Sequence, residues 1–224
     1  MRQIGVVVGY RAEARCLVGF DLRVLCSGSY PARARAAARR LCDEGVAGLV
    51  SFGLAGGLSA DLAPGDLLLP QAVILPDGHL IATEAAWRGR LAAMLGQAGL
   101  SARSAPVAGS EIILATCAAK RALAAQTGAM AVDMESHGVA QVAAAAGLPF
   151  LIVRAVADRS DQVIPHAAQA AIGAEGDMRH LALLGRLIAR PWQIGALIAL
   201  GRSSGRGLAS LRRVAVLAPG LGFA

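Results

Sequence analysis

The chain has 224 residues, 55% of them hydrophobic and 17% charged, with a formal net charge of +7, which makes it greasier and more basic than an average soluble domain. That length fits one large domain or two small ones, and no apolar run approaches the ~18 residues of a membrane-spanning helix. Aromatic residues at 4% argue against a base-stacking reader of single-stranded nucleic acid, so no nucleic-acid partner is expected.

Residues 3–8 form a β-branched run that predicts a strand buried on both faces. The N-terminus carries neither a cationic leader nor a small-residue cleavage site, so a cytoplasmic address is expected. After Gly9 a turn is expected through Arg11 and Glu13, then a short strand near 20–26 that ends at Ser27-Gly28. Pro31 opens an Ala/Arg helix to about Glu44, proline being suited to a first turn. VAGLVSF at 46–52 predicts another buried strand, running into the glycine-rich turn GLAGGL at 53–58. That cluster lacks both the dinucleotide pattern and the P-loop ending, so neither NAD nor ATP is expected.

Beyond the Pro64-Gly65-Asp66 turn, LLLPQAVIL at 67–75 reads as a strand, 84–98 as an amphipathic helix, 102–108 as a strand and 116–126 as a helix. The stretch AVDMESHGVAQVAAAAGLPFLIVRAVADRSD, residues 131–161, is the most informative. A short apolar run ends in Asp133-Met134-Glu135, and a small-residue helix over 136–146 stops at Gly147 and Pro149. A buried strand then ends at Asp158. Glu135 and Asp158 thus stand where loops leave the core, which in open α/β sheets is the rim where ligands bind. The alternation of elements predicts an α/β fold with a mostly parallel central sheet.

From about Asp177 the sequence is helical and apolar, with arginines at 179, 186 and 190. Residues 191–224 read as an apolar, basic C-terminal extension of a 1–190 domain, with a Gly/Ser/Arg hinge at 201–207. Arginine and tryptophan beside an apolar helix fit a segment lying in a membrane interface; the alternative is a closing helix packed on the sheet followed by a disordered end. The cysteines at 16, 26, 42 and 117 lack metal-ligand spacing, so no metal site and no disulfide are expected.

The chain resembles the purine nucleoside phosphorylase / methylthioadenosine–adenosylhomocysteine nucleosidase superfamily over roughly residues 3–190. The resemblance rests on Glu13 after the first strand, Ser27-Gly28, GLAGGL followed by PGDLLLP, Gly109 through Ile113, AVDMES and LPFLIVRAVADRSD. Within that superfamily it is most similar to the hopanoid-associated phosphorylases. The resemblance implies a three-layer α/β/α nucleoside phosphorylase-like fold and cleavage of the adenine–ribose bond of adenosylhopane. No cofactor is implied, only phosphate or water as co-substrate. A homodimer is implied as well, working in the cytoplasm with the tail suited to the inner membrane face. The alternatives are a 5′-methylthioadenosine/S-adenosylhomocysteine nucleosidase, and a non-catalytic nucleoside- or lipid-binding protein.

The same resemblance assigns roles. Asp158 matches the residue that donates to purine N7 and so improves the leaving group. Glu135 matches the glutamate gripping the ribose hydroxyls, with Met134 beneath the sugar. Ile112, Ile113 and Val132 match the base pocket, and Ala55 and Gly56 the glycine turn. Glu13 matches the glutamate that activates water in hydrolytic relatives. Phosphorolytic relatives hold phosphate with arginines and a serine near the glycine turn, places that Ser51 and Leu54 occupy here. Arg11, Arg33 or Arg154 are the remaining candidates, and on the residues alone hydrolysis is favoured. Tyr30 replaces a turn glycine and Ala157 a small hydroxyl residue. His137 and His166 read as structural or solvated.

Overall fold

The computed structural model describes residues 3–165, 194–217 and 219–222. His166, the arginines at 179, 186 and 190, and the domain boundary placed at 190 lie outside them. The centre of the molecule is the parallel pair β3 (Gly48–Gly57) and β10 (Phe150–Asp158), whose side chains are almost all buried. β1 (Ile4–Val8) pairs in parallel with the first half of β3 and carries β2 (Leu22–Cys26) on its other edge. Past Gly53 the same edge of β3 pairs instead with β9 (Ala131–Asp133), antiparallel, and the sheet continues through β8 (Val107–Gly109), β5 (Ala72–Ile74) and β6 (Leu80–Ala82). On the far side of β10 lie β4 (Leu67–Leu68) and β7 (Ala102–Arg103). Parallel pairs predominate, with antiparallel pairing at β10–β4, β3–β9 and β5–β6.

The period-two alternation of the central strands splits the core in two. Val6, Val8, Phe52, Leu151 and Val153 point to one face, where α1 (Arg11–Cys16), α3 (Ala85–Gln97) and α6 (Ile194–Leu217) cover them. Val7, Leu49, Ile152 and Val156 point to the other face, covered by α2 (Pro31–Asp43) and α5 (Ser136–Ala146). α4 (Cys117–Thr127) flanks a smaller cluster behind β8 and β9. This is the three-layer α/β/α arrangement.

Several boundaries differ from the sequence reading. LLLPQAVIL is not one strand: β4 and β5 lie on opposite sides of the sheet, separated at Pro70, which cannot supply a ladder donor. The 102–108 stretch likewise divides into β7 and β8 around Pro106. GLAGGL is not a turn; Gly53 to Gly57, including Ala55 and Gly56, continue β3 and pair with both β10 and β9. The turn expected after Gly9 contains helix α1.

The Gly/Ser/Arg hinge at 201–207 is absent too, because α6 runs unbroken from Ile194 to Leu217. Gly207 serves packing: a Cβ there would stand 2.6 Å from Leu54 Cδ2 and 3.1 Å from the Val156 carbonyl oxygen. Leu211, Val214 and Ala215 are buried in the same cluster as β1, β3 and β10, and Trp87 Nε1 donates to the Leu221 carbonyl at 2.7 Å. The second half of α6 is therefore a core element, whereas Ile194 and Ile198 in its first turns are 43% and 50% exposed. Among the described residues no helix is long and apolar enough to cross a membrane.

Candidate active site

The site is strung along the second half of β3. At one end is Gly53, where a Cβ would lie 2.6 Å from both Arg154 Nη1 and Glu13 Oε1, so only glycine lets the two groups meet the strand backbone. At the other is Gly56, where a Cβ would lie 3.5 Å from each Asp158 oxygen and 3.4 Å from Val132 Cγ1. Three residues of strand separate these ends by ~10 Å.

Glu13 sits in the first turn of α1, fully buried. Its Oε2 accepts from the Gly9 and Tyr10 amides at 2.8 and 2.9 Å, and its Oε1 accepts from the Leu54 amide at 2.7 Å. Oε1 keeps a second acceptor site. Burial pushes its pKa above the usual carboxylate range, against the pull of Arg154 and the three amides. Leu54 thus contributes its backbone amide to Glu13.

Arg154 reaches inward from the middle of β10 with no exposed surface. Nη2 donates to Ser51 Oγ at 2.7 Å, Ser136 Oγ at 3.1 Å and Glu135 Oε2 at 3.2 Å, while Nη1 donates to the Leu54 carbonyl at 3.3 Å. Nε lies 2.9 Å from Asp133 Oδ2, an ion-pair contact too bent to be a hydrogen bond. Burial opposes its charge, but Asp133, Glu135 and Glu13 outweigh burial and hold the guanidinium protonated.

The β9–α5 junction supplies the next carboxylates. Asp133 Oδ1 accepts from the Glu135 and Ser136 amides at 3.0 and 2.7 Å, and Oδ2 from Ser136 Oγ at 2.5 Å, which fixes the start of α5. Glu135 is thereby aimed at Arg154, with Met134 beside it half-buried. Burial raises the Glu135 pKa to about 7; Arg154 pulls it down, Asp133 and Glu13 push it up, and Ser29 again lowers it. Ser29 follows Gly28 in a left-handed backbone (φ 58°), a conformation costing a non-glycine residue ~1–2 kcal/mol. Tyr30 is extended and about half exposed, with Arg33 over its ring at 5.3 Å.

Asp158 ends β10. The register with β3 slips between Val156 and Asp158, a bulge at Ala157 that re-aims the carboxylate beyond the strand end. Its Oδ2 accepts from Lys120 Nζ, on α4. Burial raises its pKa, and Lys120 opposes that rise by charge and by hydrogen bond. The sequence reading missed Lys120. One signal was available: it is the only lysine among 22 Lys and Arg residues.

The other predicted positions fall around this line. Val132 is buried on β9 next to Gly56 and Asp158, and Ile113 is half-buried. Ile112 is 67% exposed on the loop after β8, where Ser110 Oγ accepts from its amide at 3.2 Å and donates to its carbonyl at 2.7 Å. His137 is buried in α5, its Nε2 2.9 Å from Glu111 Oε1. Arg11 and Arg33 are surface residues.

A model of the phosphorylase superfamily matches residues 19–189. No curated protein matches the chain. Among solved structures, a Helicobacter pylori 5′-methylthioadenosine nucleosidase mutant with 5′-methylthioadenosine in its active site superposes with a TM-score of 0.71 at 16% identity, covering 96% of this chain and 99% of its own. A futalosine hydrolase from Helicobacter pylori gives 0.70 at 16% identity, covering 96% and 97%. An S-adenosylhomocysteine nucleosidase from Streptococcus pyogenes gives 0.69 at 15% identity, covering 95% of each chain. At such identities these structures share the fold.

Proposed function

The chain belongs to the phosphorylase superfamily, and from that membership we propose that it hydrolyses the N-glycosidic bond of a purine ribonucleoside. The observation that carries the choice of water over phosphate is the charge balance around Arg154. Three buried carboxylates, Glu13, Asp133 and Glu135, surround a guanidinium that is ion-paired to Asp133 and Glu135 and whose two terminal nitrogens donate to protein oxygens. An incoming phosphate would meet these carboxylates and, among the described residues, no buried cation without a carboxylate partner, which a low-dielectric site penalises heavily. A neutral water meets no such penalty.

In this reading the ribose lies over Met134 with its hydroxyls donating to Glu135. Glu13, its proton affinity raised by burial, takes a proton through Oε1 from a water that attacks C1′. The C1′–N9 bonding electrons pass to the purine, and Asp158 donates to N7 at the other end of the line.

For the group on the 5′ carbon we propose a pentacyclic lipid, making adenosylhopane the substrate at the cytoplasmic membrane face. This reading rests on the sequence motifs' resemblance to hopanoid-associated phosphorylases, and the +7 charge and the exposed isoleucines at the start of α6 are consistent with it. A second reading, a soluble 5′-methylthioadenosine/S-adenosylhomocysteine nucleosidase, is favoured by a neighbour that holds 5′-methylthioadenosine. Adenine release from adenosylhopane in anionic vesicles should exceed release from 5′-methylthioadenosine in kcat/KM. The opposite ratio would transfer the assignment to the soluble nucleosidase.

A further inference from the structure

The chain's sole lysine is buried at the proposed leaving-group end of the site, with all its donors committed. Lys120 Nζ donates to Asp158 Oδ2, to the Arg159 carbonyl at 2.7 Å and to the Gln162 carbonyl at 2.9 Å. An ammonium has three N–H bonds, so nothing remains for substrate. Asp158 Oδ1, by contrast, accepts no hydrogen bond among the described residues and stands beside Gly56 and Val132. We propose that Lys120 is the positioning residue for the leaving-group acid, turning Asp158 Oδ1 toward the base and stabilising the carboxylate that remains once the purine has been protonated.

This role rests on the nucleoside-cleaving reading and adds a part to it. As the C1′–N9 bond breaks, its electron pair goes to the purine, and the proton on Asp158 Oδ1 moves to N7. The carboxylate so formed is already paired with the Lys120 ammonium, which keeps its own protons throughout. Without that cation the carboxylate would appear unpaired in a buried site, and proton transfer would be uphill. Composition adds an independent argument. Every other cationic side chain among the 22 Lys and Arg residues is arginine, yet this position has a lysine. Three acceptors converging on one nitrogen suit a compact tetrahedral ammonium and not a planar guanidinium.

Lys120 also fixes the backbone that carries the acid. By holding the Arg159 and Gln162 carbonyls it shapes the exit of β10, and two residues on, the Ile164 amide donates to the Ala115 carbonyl at 2.9 Å. Ala115 directly precedes Thr116, the cap of α4. The loop bearing Ile112 and Ile113 and the loop after Asp158 are thereby joined above Lys120.

Lys120→Met preserves volume and removes the charge. In the full chain it should lower kcat for adenine release on the order of 10²-fold, a general-acid effect, with KM changed by no more than about threefold if the role is confined to proton transfer. Asp158 should be harder to ionise, moving the alkaline limb of kcat to higher pH, because the acid is active only while protonated. Lys120→Arg should not restore the rate, and Lys120→Met/Asp158→Asn should be no slower than Asp158→Asn alone. A folded Lys120→Met with unchanged kcat and pH profile, or losses that multiply in the double variant, would overturn the role.

Should Lys120→Met fail to fold, lysine labelled with 15N at Nζ gives a single side-chain resonance in the otherwise intact protein. That resonance should move when adenine binds the wild type and stay still in Asp158→Asn; an adenine response that survives Asp158→Asn would overturn the proposal. A wild type that releases no purine from any nucleoside would remove the cleavage reading and this role together. An active wild type with an unaffected Lys120→Met would remove this role alone.

Discussion

Asp158→Asn should lower kcat for purine release by about 10²–10⁴-fold, the usual contribution of a positioned acid, while binding of the nucleoside changes little. The amide has nearly the shape of the acid and can still accept from Lys120 and offer an N–H to purine N7, but it cannot transfer a proton. The bulge at Ala157 is a backbone feature and persists in the variant, so the side chain stays beyond the strand end beside Gly56. Purine release monitored in a coupled assay separates the outcomes. A large fall in kcat with KM nearly constant supports proton donation in the transition state, and full activity would remove Asp158 from the mechanism.

Arg154→Met should destabilise the fold by about 3–5 kcal/mol, the range for breaking a buried charge network by removing one partner. Glu13, Asp133 and Glu135 would remain buried without their shared cation, and Ser51 and Ser136 would lose a common donor. The loss should depend on pH with a definite sign. Burial already lifts Glu135 to about 7 and Glu13 above its ordinary range, and removing Arg154 lifts both further. A carboxyl whose pKa is raised by folding contributes stability below its unfolded value and loses it as pH rises through its folded value. The variant should therefore come closest to wild type near pH 5 and fall furthest behind above pH 7. Thermal melts across that range provide the check; a deficit that shrinks toward alkaline pH would contradict the charge assignment.

These expectations draw unequally on the sequence. Helix α5 and strand β10 were legible to the residue, because a small-residue helix, a Gly147/Pro149 stop and a nine-residue apolar strand are all local signals. Glu135 and Asp158 could be placed at loop exits for the same reason. Arg154 was only one of three candidate phosphate anchors, since nothing in FLIVRAVA announces that its partners come from α1, β3 and the β9–α5 junction. Contacts between residues a hundred positions apart leave no periodic trace.

Lys120 was missed because a cation beside Arg121 in an Ala-rich helix reads as a solvated side chain, and only its being the sole lysine in an arginine-rich composition hinted otherwise. The false hinge in α6 has the opposite cause. Glycine and serine often mark breaks, but the helix runs through exposed Gly201 and Gly205, and Gly207 is required by the approach of the helix to Leu54 and Val156. Proline, at positions 70 and 106, was the reliable punctuation that a continuous apolar reading passed over.

The central claim is that water, not phosphate, takes the ribosyl group. It is tested most directly by incubating the purified chain with a purine ribonucleoside substrate in phosphate-free buffer and in buffer with added phosphate, then identifying the sugar product. The charge balance around Arg154 predicts the same rate of purine release in both and a free reducing sugar as product. Purine release that requires phosphate, with a sugar 1-phosphate as product, would contradict it.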